Sequence, residues 1–96
     1  MVVTALDYVR QCSTYSDGQV IYDLLLPPLQ RGEDVVLSFR GVSALPSAFV
    51  NSAILQLVEK FSIDEIKAHL SFNDSTKQIN DLIRDRFAFV EAKLAQ

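Results

Sequence analysis

Residues 35–55, VVLSFRGVSALPSAFVNSAIL, constrain the fold more than any other stretch, because the hydrophobic period changes inside them. Val35 to Phe39 is short, β-branched and aromatic, with Gly32-Glu33-Asp34 before it and Gly41 after it. Such a segment predicts a strand. Its near-continuous apolar character predicts a central strand buried on both faces. Phe49, Val50, Ala53, Ile54, Leu57, Val58 and Phe61 then recur at spacings of three and four. That spacing predicts an amphipathic helix over 47–61. A strand that passes into a helix through a Gly-Pro-Ser loop is the repeating unit of α/β sheets.

The flanking segments extend this pattern. Val2 to Val9 alternate imperfectly and predict a first strand over 2–8, with Val3, Ala5 and Tyr8 facing inward. Ser16 with Gln19 has capping-box spacing, and Val20, Ile21, Leu24 and Leu25 form a stripe that predicts a helix over 17–26. Pro27 and Pro28 should end or kink it, since each removes a backbone donor. The run Leu24 to Leu29 is apolar enough to pack on a second copy, but core packing explains it equally. Ile66, Ala68, Leu70 and Phe72 alternate with Lys67, His69, Ser71 and Asn73. They predict a strand over 66–72 with one solvated face, near a sheet edge. Ser62 to Glu65 is a short connection or a helical turn. Asp74 or Ser75 caps a last helix over 75–94, with Ser75 and Gln78 again at capping-box spacing.

The order β-α-β-α-β-α predicts an α/β fold with a small parallel or mixed sheet and right-handed crossovers. Helices on one face or on both fit the stripes equally. A first segment folded as a hairpin would add an antiparallel edge.

Composition narrows the function classes. The 96 residues predict one domain spanning 1–96. Net charge is −3 and the Lys and Arg residues are scattered singly, so no basic patch predicts a nucleic-acid partner. No apolar run approaches the roughly 20 residues that span a bilayer, and MVVTALDYVR lacks the features of a signal peptide. Cys12 is the only cysteine, which fits a reducing compartment and predicts a cytoplasmic location. With a single cysteine and a single histidine there is no Cys/His metal cluster. Gly18, Gly32 and Gly41 lie in separate turns, so there is no phosphate-cradling loop. A Cys12–His69 nucleophilic pair needs the fold to bring the two together, and no third group in the sequence orients it. The expectation is a non-enzyme without metal or cofactor.

Ser47 is the residue that stands out. It lies where a helix begins after a central strand, at the end of an α/β sheet where sites gather. Its simple role is an N-cap. Its chemical role is a phosphoacceptor, since phosphorylation adds about −1.5 to −2 charges.

VVLSFRGVSALPSAF followed by NSAILQLVEKF, with DGQVIY and GED ahead of the strand, resembles the STAS domain of anti-sigma factor antagonists and sulfate transporters. It looks most like a bacterial STAS-like family of unassigned function, over residues 13 to 90. The resemblance implies a regulatory protein-interaction module. In antagonist STAS domains the strand-to-helix loop carries an Asp-Ser pair whose serine is phosphorylated by a GHKL-type ATPase kinase. Ser47 lies at that serine, while Pro46 replaces the aspartate and Ala48-Phe49 replace a following Ser-Gly. Ser38 stands where the STAS-like family often has an aspartate. The resemblance therefore implies Ser47 as phosphoacceptor and Ser43, Leu45, Ser47 and Asn51 as the partner-binding surface. A structural interaction subunit with no switch, or a small anion- or ligand-binding domain, are the alternatives.

Overall fold

The computed structural model describes residues 1–94; Ala95 and Gln96, included in the expected 1–96 domain, lie outside the described residues. The elements are β1 (Val2–Thr4), α1 (Tyr15–Gln30), β2 (Val35–Ser38), α2 (Ser47–Ala53), α3 (Ile63–His69), β3 (Leu70–Asn73) and α4 (Lys77–Leu94). Single 3-10 segments follow β1 at Ala5–Asp7 and α2 at Leu55–Glu59. The sheet has the order β1-β2-β3, and both pairings are parallel. Val3, Leu37 and Phe72 share one register row, and Val2, Val36 and Ser71 the next.

Those rows separate the faces. Val3, Val35, Leu37 and Leu70 are buried, whereas Val2 and Ser71 are exposed and Val36 is half-buried. The helices thus cover one face: α1 packs on α2, and α2 on α4. Parallel neighbours taken in the order β1-β2-β3 make every crossover run in the same direction, and the strong right-handed preference of such crossovers sets the helices on one face. β2 is central, as its sequence predicts, but it is not buried on both faces: Val36 is half-buried, between Val2 and Ser71, which are both exposed.

Several element boundaries depart from the sequence expectation. The first strand stops at Thr4, where a 3-10 turn closes through Tyr8 N–H to the Ala5 carbonyl at 3.1 Å. Helix α1 begins earlier, at a capping box built from Thr14 and Asp17 rather than Ser16 and Gln19. It also runs through Pro27 and Pro28. Proline keeps a helical φ and sacrifices only its own donor, and here the loss falls on the last turn. The helix ends instead at Gly32, with φ of 75°, where the Gly32 and Glu33 amides donate to the Leu29 and Pro28 carbonyls at 3.0 Å each. That is a Schellman stop, in which a left-handed residue favours glycine.

The 47–61 helix breaks after Ala53 and continues as the 3-10 segment. Its stripe is nonetheless core: Phe49, Val50, Ala53, Ile54 and Leu57 are fully buried. The expected strand over 66–72 is helical up to His69. Ile63 and Ile66 are buried three apart, and Ser62 Oγ caps the helix by accepting the Glu65 amide at 3.1 Å. Helix α3 is thus an extra element in the expected order.

Gly18 sets the distance between α1 and α2. A Cβ there would lie 1.8 Å from Ser52 Oγ and 2.7 Å from the Phe49 carbonyl. Only glycine lets the two helices approach this closely.

Candidate functional site

Three parallel strands bring their carboxyl ends to one edge of the molecule. The connection after β2, residues 39–46, runs along that edge and leads into α2. Its course is fixed residue by residue. The Phe39 amide donates to the Asn73 carbonyl at 3.0 Å, extending the ladder one step beyond β2. The Phe39 ring stacks on Phe72 with centroids 6.0 Å apart. Ser38 Oγ donates to Asp74 Oδ2 at 2.8 Å and accepts the Arg40 amide at 3.3 Å. Asp74 has a φ of 53°, a left-handed conformation that aspartate tolerates better than most residues.

The first turn of α4 holds the rest of the loop. Thr76 Oγ1 donates to the Ser43 carbonyl at 2.8 Å and accepts the Ile79 amide at 3.3 Å, so Thr76, not Asp74 or Ser75, caps α4. Gln78 accepts the Leu45 amide at 3.0 Å and donates to the Leu45 carbonyl at 3.3 Å. Further along, Arg86 Nε donates to Asn51 Oδ1 at 3.3 Å. Two contacts on Leu45, one on Ser43 and one on Asn51 make α4 a splint for the β2–α2 connection.

On this splinted segment Ser43 and Ser47 are exposed and Asn51 is half-buried. Leu45 does not share that surface: its side chain is 4% exposed and belongs to the core. Leu45 instead anchors the loop between the two serines. Ser47 is not the cap of α2. Pro46 occupies the N-cap position with no side-chain cap bond, and Ser47 is the first helical residue. Among the described residues its hydroxyl makes no hydrogen bond.

A cleft of about 250 Å³ lies beside the loop, between the segments that follow β1 and β2, lined by Leu6, Arg10, Cys12, Ser13, Gly41 and Ser43 among others. Cys12 is a poor nucleophile there. Burial, and secondarily the charge of Asp17, pushes its thiol up to about 11, so little thiolate exists at neutral pH. His69 lies at the other end of the sheet, at the close of α3, with Nδ1 2.9 Å from Asp34 Oδ1. The Cys12–His69 pairing is therefore not formed, and His69 lies on a helix rather than on the solvated face of a strand. Among the described residues, no group of three or more His, Cys, Asp and Glu side chains is placed to hold a metal, and no helix is long and apolar enough to cross a membrane.

Sequence reasoning located the segment but missed what positions it. Gln78 had capping-box spacing from Ser75, and its side chain serves Leu45 instead. Asp74 was readable as a cap and is the acceptor for Ser38. Nothing in the sequence marks Arg86 as the partner of Asn51.

A three-stranded parallel sheet with this strand–loop–helix edge defines an α/β domain of the STAS-like kind. The chain belongs to the family described as a STAS-like domain of unknown function, whose model matches residues 17–80, from the start of α1 into the first turn of α4. No curated protein and no solved structure gives a significant match.

Proposed function

We propose that this domain is a non-enzymatic regulatory module that binds a protein partner through the edge formed by Ser43, Ser47 and Asn51, and that phosphorylation of Ser47 releases the partner. The partner is an ATPase of the GHKL kinase type. Ser47 Oγ takes the γ-phosphoryl group of ATP held by that partner, ADP leaves, and the hydroxyl proton passes to a base on the partner. The observation that carries the reading is the hydroxyl of Ser47: it is exposed, is not the cap of α2 and has no hydrogen-bond partner among the described residues. A serine kept for stability would be spent on a backbone donor. The splint from Thr76, Gln78 and Arg86 supports the same reading, because a pre-ordered loop loses little freedom on docking. About −2 charges added at Ser47 then disfavour a partner packed over it.

Co-purification followed by mass spectrometry tests this in one sample. The reading expects a recovered ATPase and a phosphopeptide containing Ser47, with the phosphate absent from Ser47→Ala. Phosphate confined to other residues, or phosphate on Ser47 in the fraction that holds the ATPase, contradicts the switch.

One observation favours a second reading, a small anion-binding domain. Arg10 lines the cleft beside the loop and makes no ion pair among the described residues. Saturable binding of inorganic phosphate, lost in Arg10→Gln, would select it.

A further inference from the structure

Ser47 and Asn51 are four residues apart on α2, so their side chains are neighbours on one helix face, about 5–6 Å apart at Cβ. Helical side chains lean toward the N-terminus. Asn51 Oδ1 accepts from Arg86 Nε at 3.3 Å, so an arginine of α4 meets the residue one helical turn along from Ser47. Arg86 has no carboxylate partner among the described residues. Its guanidinium instead lies 4.8 Å from the centroid of Phe89, a ring that is 48% exposed and also has Lys93 Nζ at 4.9 Å.

We propose that Arg86 is the internal receptor for a phosphoryl group on Ser47: the modified side chain takes the guanidinium from the Asn51 amide and the face of Phe89. The inference rests on Ser47 being a phosphoacceptor. The chemistry favours the exchange. A neutral amide oxygen and an aromatic face are weak partners for a guanidinium, whereas a phosphate dianion offers paired, charge-assisted hydrogen bonds to its fork. Arg84 contacts Asp81 at 3.6 Å, and it lies two residues from Arg86, about 200° around the helix. Phosphorylation would then change two surfaces together. It adds charge at Ser47, and it leaves Phe89 with Lys93 as its remaining cation.

The test uses the full chain with phosphoserine installed at position 47 during translation, so it needs neither kinase nor partner. The second ionisation of the phosphate is followed by phosphorus NMR across pH, with the same chain unfolded in urea as reference. The ordinary value is about 6, and a paired cation lowers it. The expected result is a downward shift of about half a unit or more in the folded chain, abolished by Arg86→Gln and retained in Arg84→Gln. In the unsubstituted chain, a through-bond coupling between the phosphorus and a side-chain N–H assigned to Arg86 by backbone-linked NMR gives the same answer without any variant. An equal shift in folded Arg86→Gln and wild type, or loss of the shift in Arg84→Gln alone, overturns the assignment. Either result leaves the partner-release reading to its own binding test.

Discussion

Ser38 donates its hydroxyl to Asp74 Oδ2 at 2.8 Å, which ties the carboxyl end of β2 to the turn that leads from β3 into α4. The serine is 4% exposed, and the acceptor has a φ of 53°. A buried hydroxyl and a left-handed residue therefore stand or fall together at the root of the β2–α2 connection.

Substitution at Asp74 separates these two effects. Asp74→Ala removes the acceptor and places a Cβ residue without a polar side chain at positive φ, costing about 1–3 kcal/mol in urea denaturation. Asp74→Asn keeps an acceptor and tolerates the conformation, so it should fall within about 0.5 kcal/mol of wild type. Equal losses for the two variants would show that the carboxylate charge, not the hydrogen bond, matters.

Gly18→Ala should destabilise the domain, against the usual direction. In a solvated helix the change gains about 1 kcal/mol from propensity. Here the new Cβ meets Ser52 Oγ at 1.8 Å and the Phe49 carbonyl at 2.7 Å, and overpacking costs about 1–3 kcal/mol. Adding Ser52→Ala removes the nearer atom but not the carbonyl, so recovery should be partial. A melting temperature that rises in the single variant would contradict the α1–α2 contact.

The contrast between what could and could not be read from the sequence follows from the range of each signal. The 3.6-residue stripe from Phe49 to Leu57 reports burial directly, and all of its core positions are buried. The central place of β2 followed from its composition. The 63–69 helix was missed because Ile66, Ala68 and Leu70 fit a two-residue period as well; the Ser62–Glu65 cap spacing was the local clue that favoured a helix. Pro27 and Pro28 misled in the same way, since their effect depends on how near the helix end lies, and Gly32 set that end. The pairs that shape the candidate site, Ser38 with Asp74, Leu45 with Gln78 and Asn51 with Arg86, lie 33 to 36 residues apart. No local pattern encodes such pairs.

Cys12 should resist thiol reagents. Its thiol is pushed up to about 11 from 9.0, by burial first and by Asp17 second. At pH 8 the native protein should react roughly a hundredfold more slowly than the urea-unfolded chain, from the thiolate fraction alone. The sign for stability follows. The neutral thiol favours the folded state, so its contribution is complete below pH 9.0 and is lost as pH rises toward about 11. Cys12→Ala should remove that part of the alkaline decline. Native and unfolded rates that match at pH 8 would contradict the burial.

Calorimetric titration of the co-purified partner into wild type, Ser47→Ala and Ser47→Asp tests the docking switch most directly. Ser47 makes no cap bond, so all three proteins should have nearly the same melting temperature. The account predicts wild-type affinity for Ser47→Ala and an affinity at least about tenfold weaker for Ser47→Asp, or about 1.4 kcal/mol. Equal affinity of the partner for wild type and Ser47→Asp would contradict it.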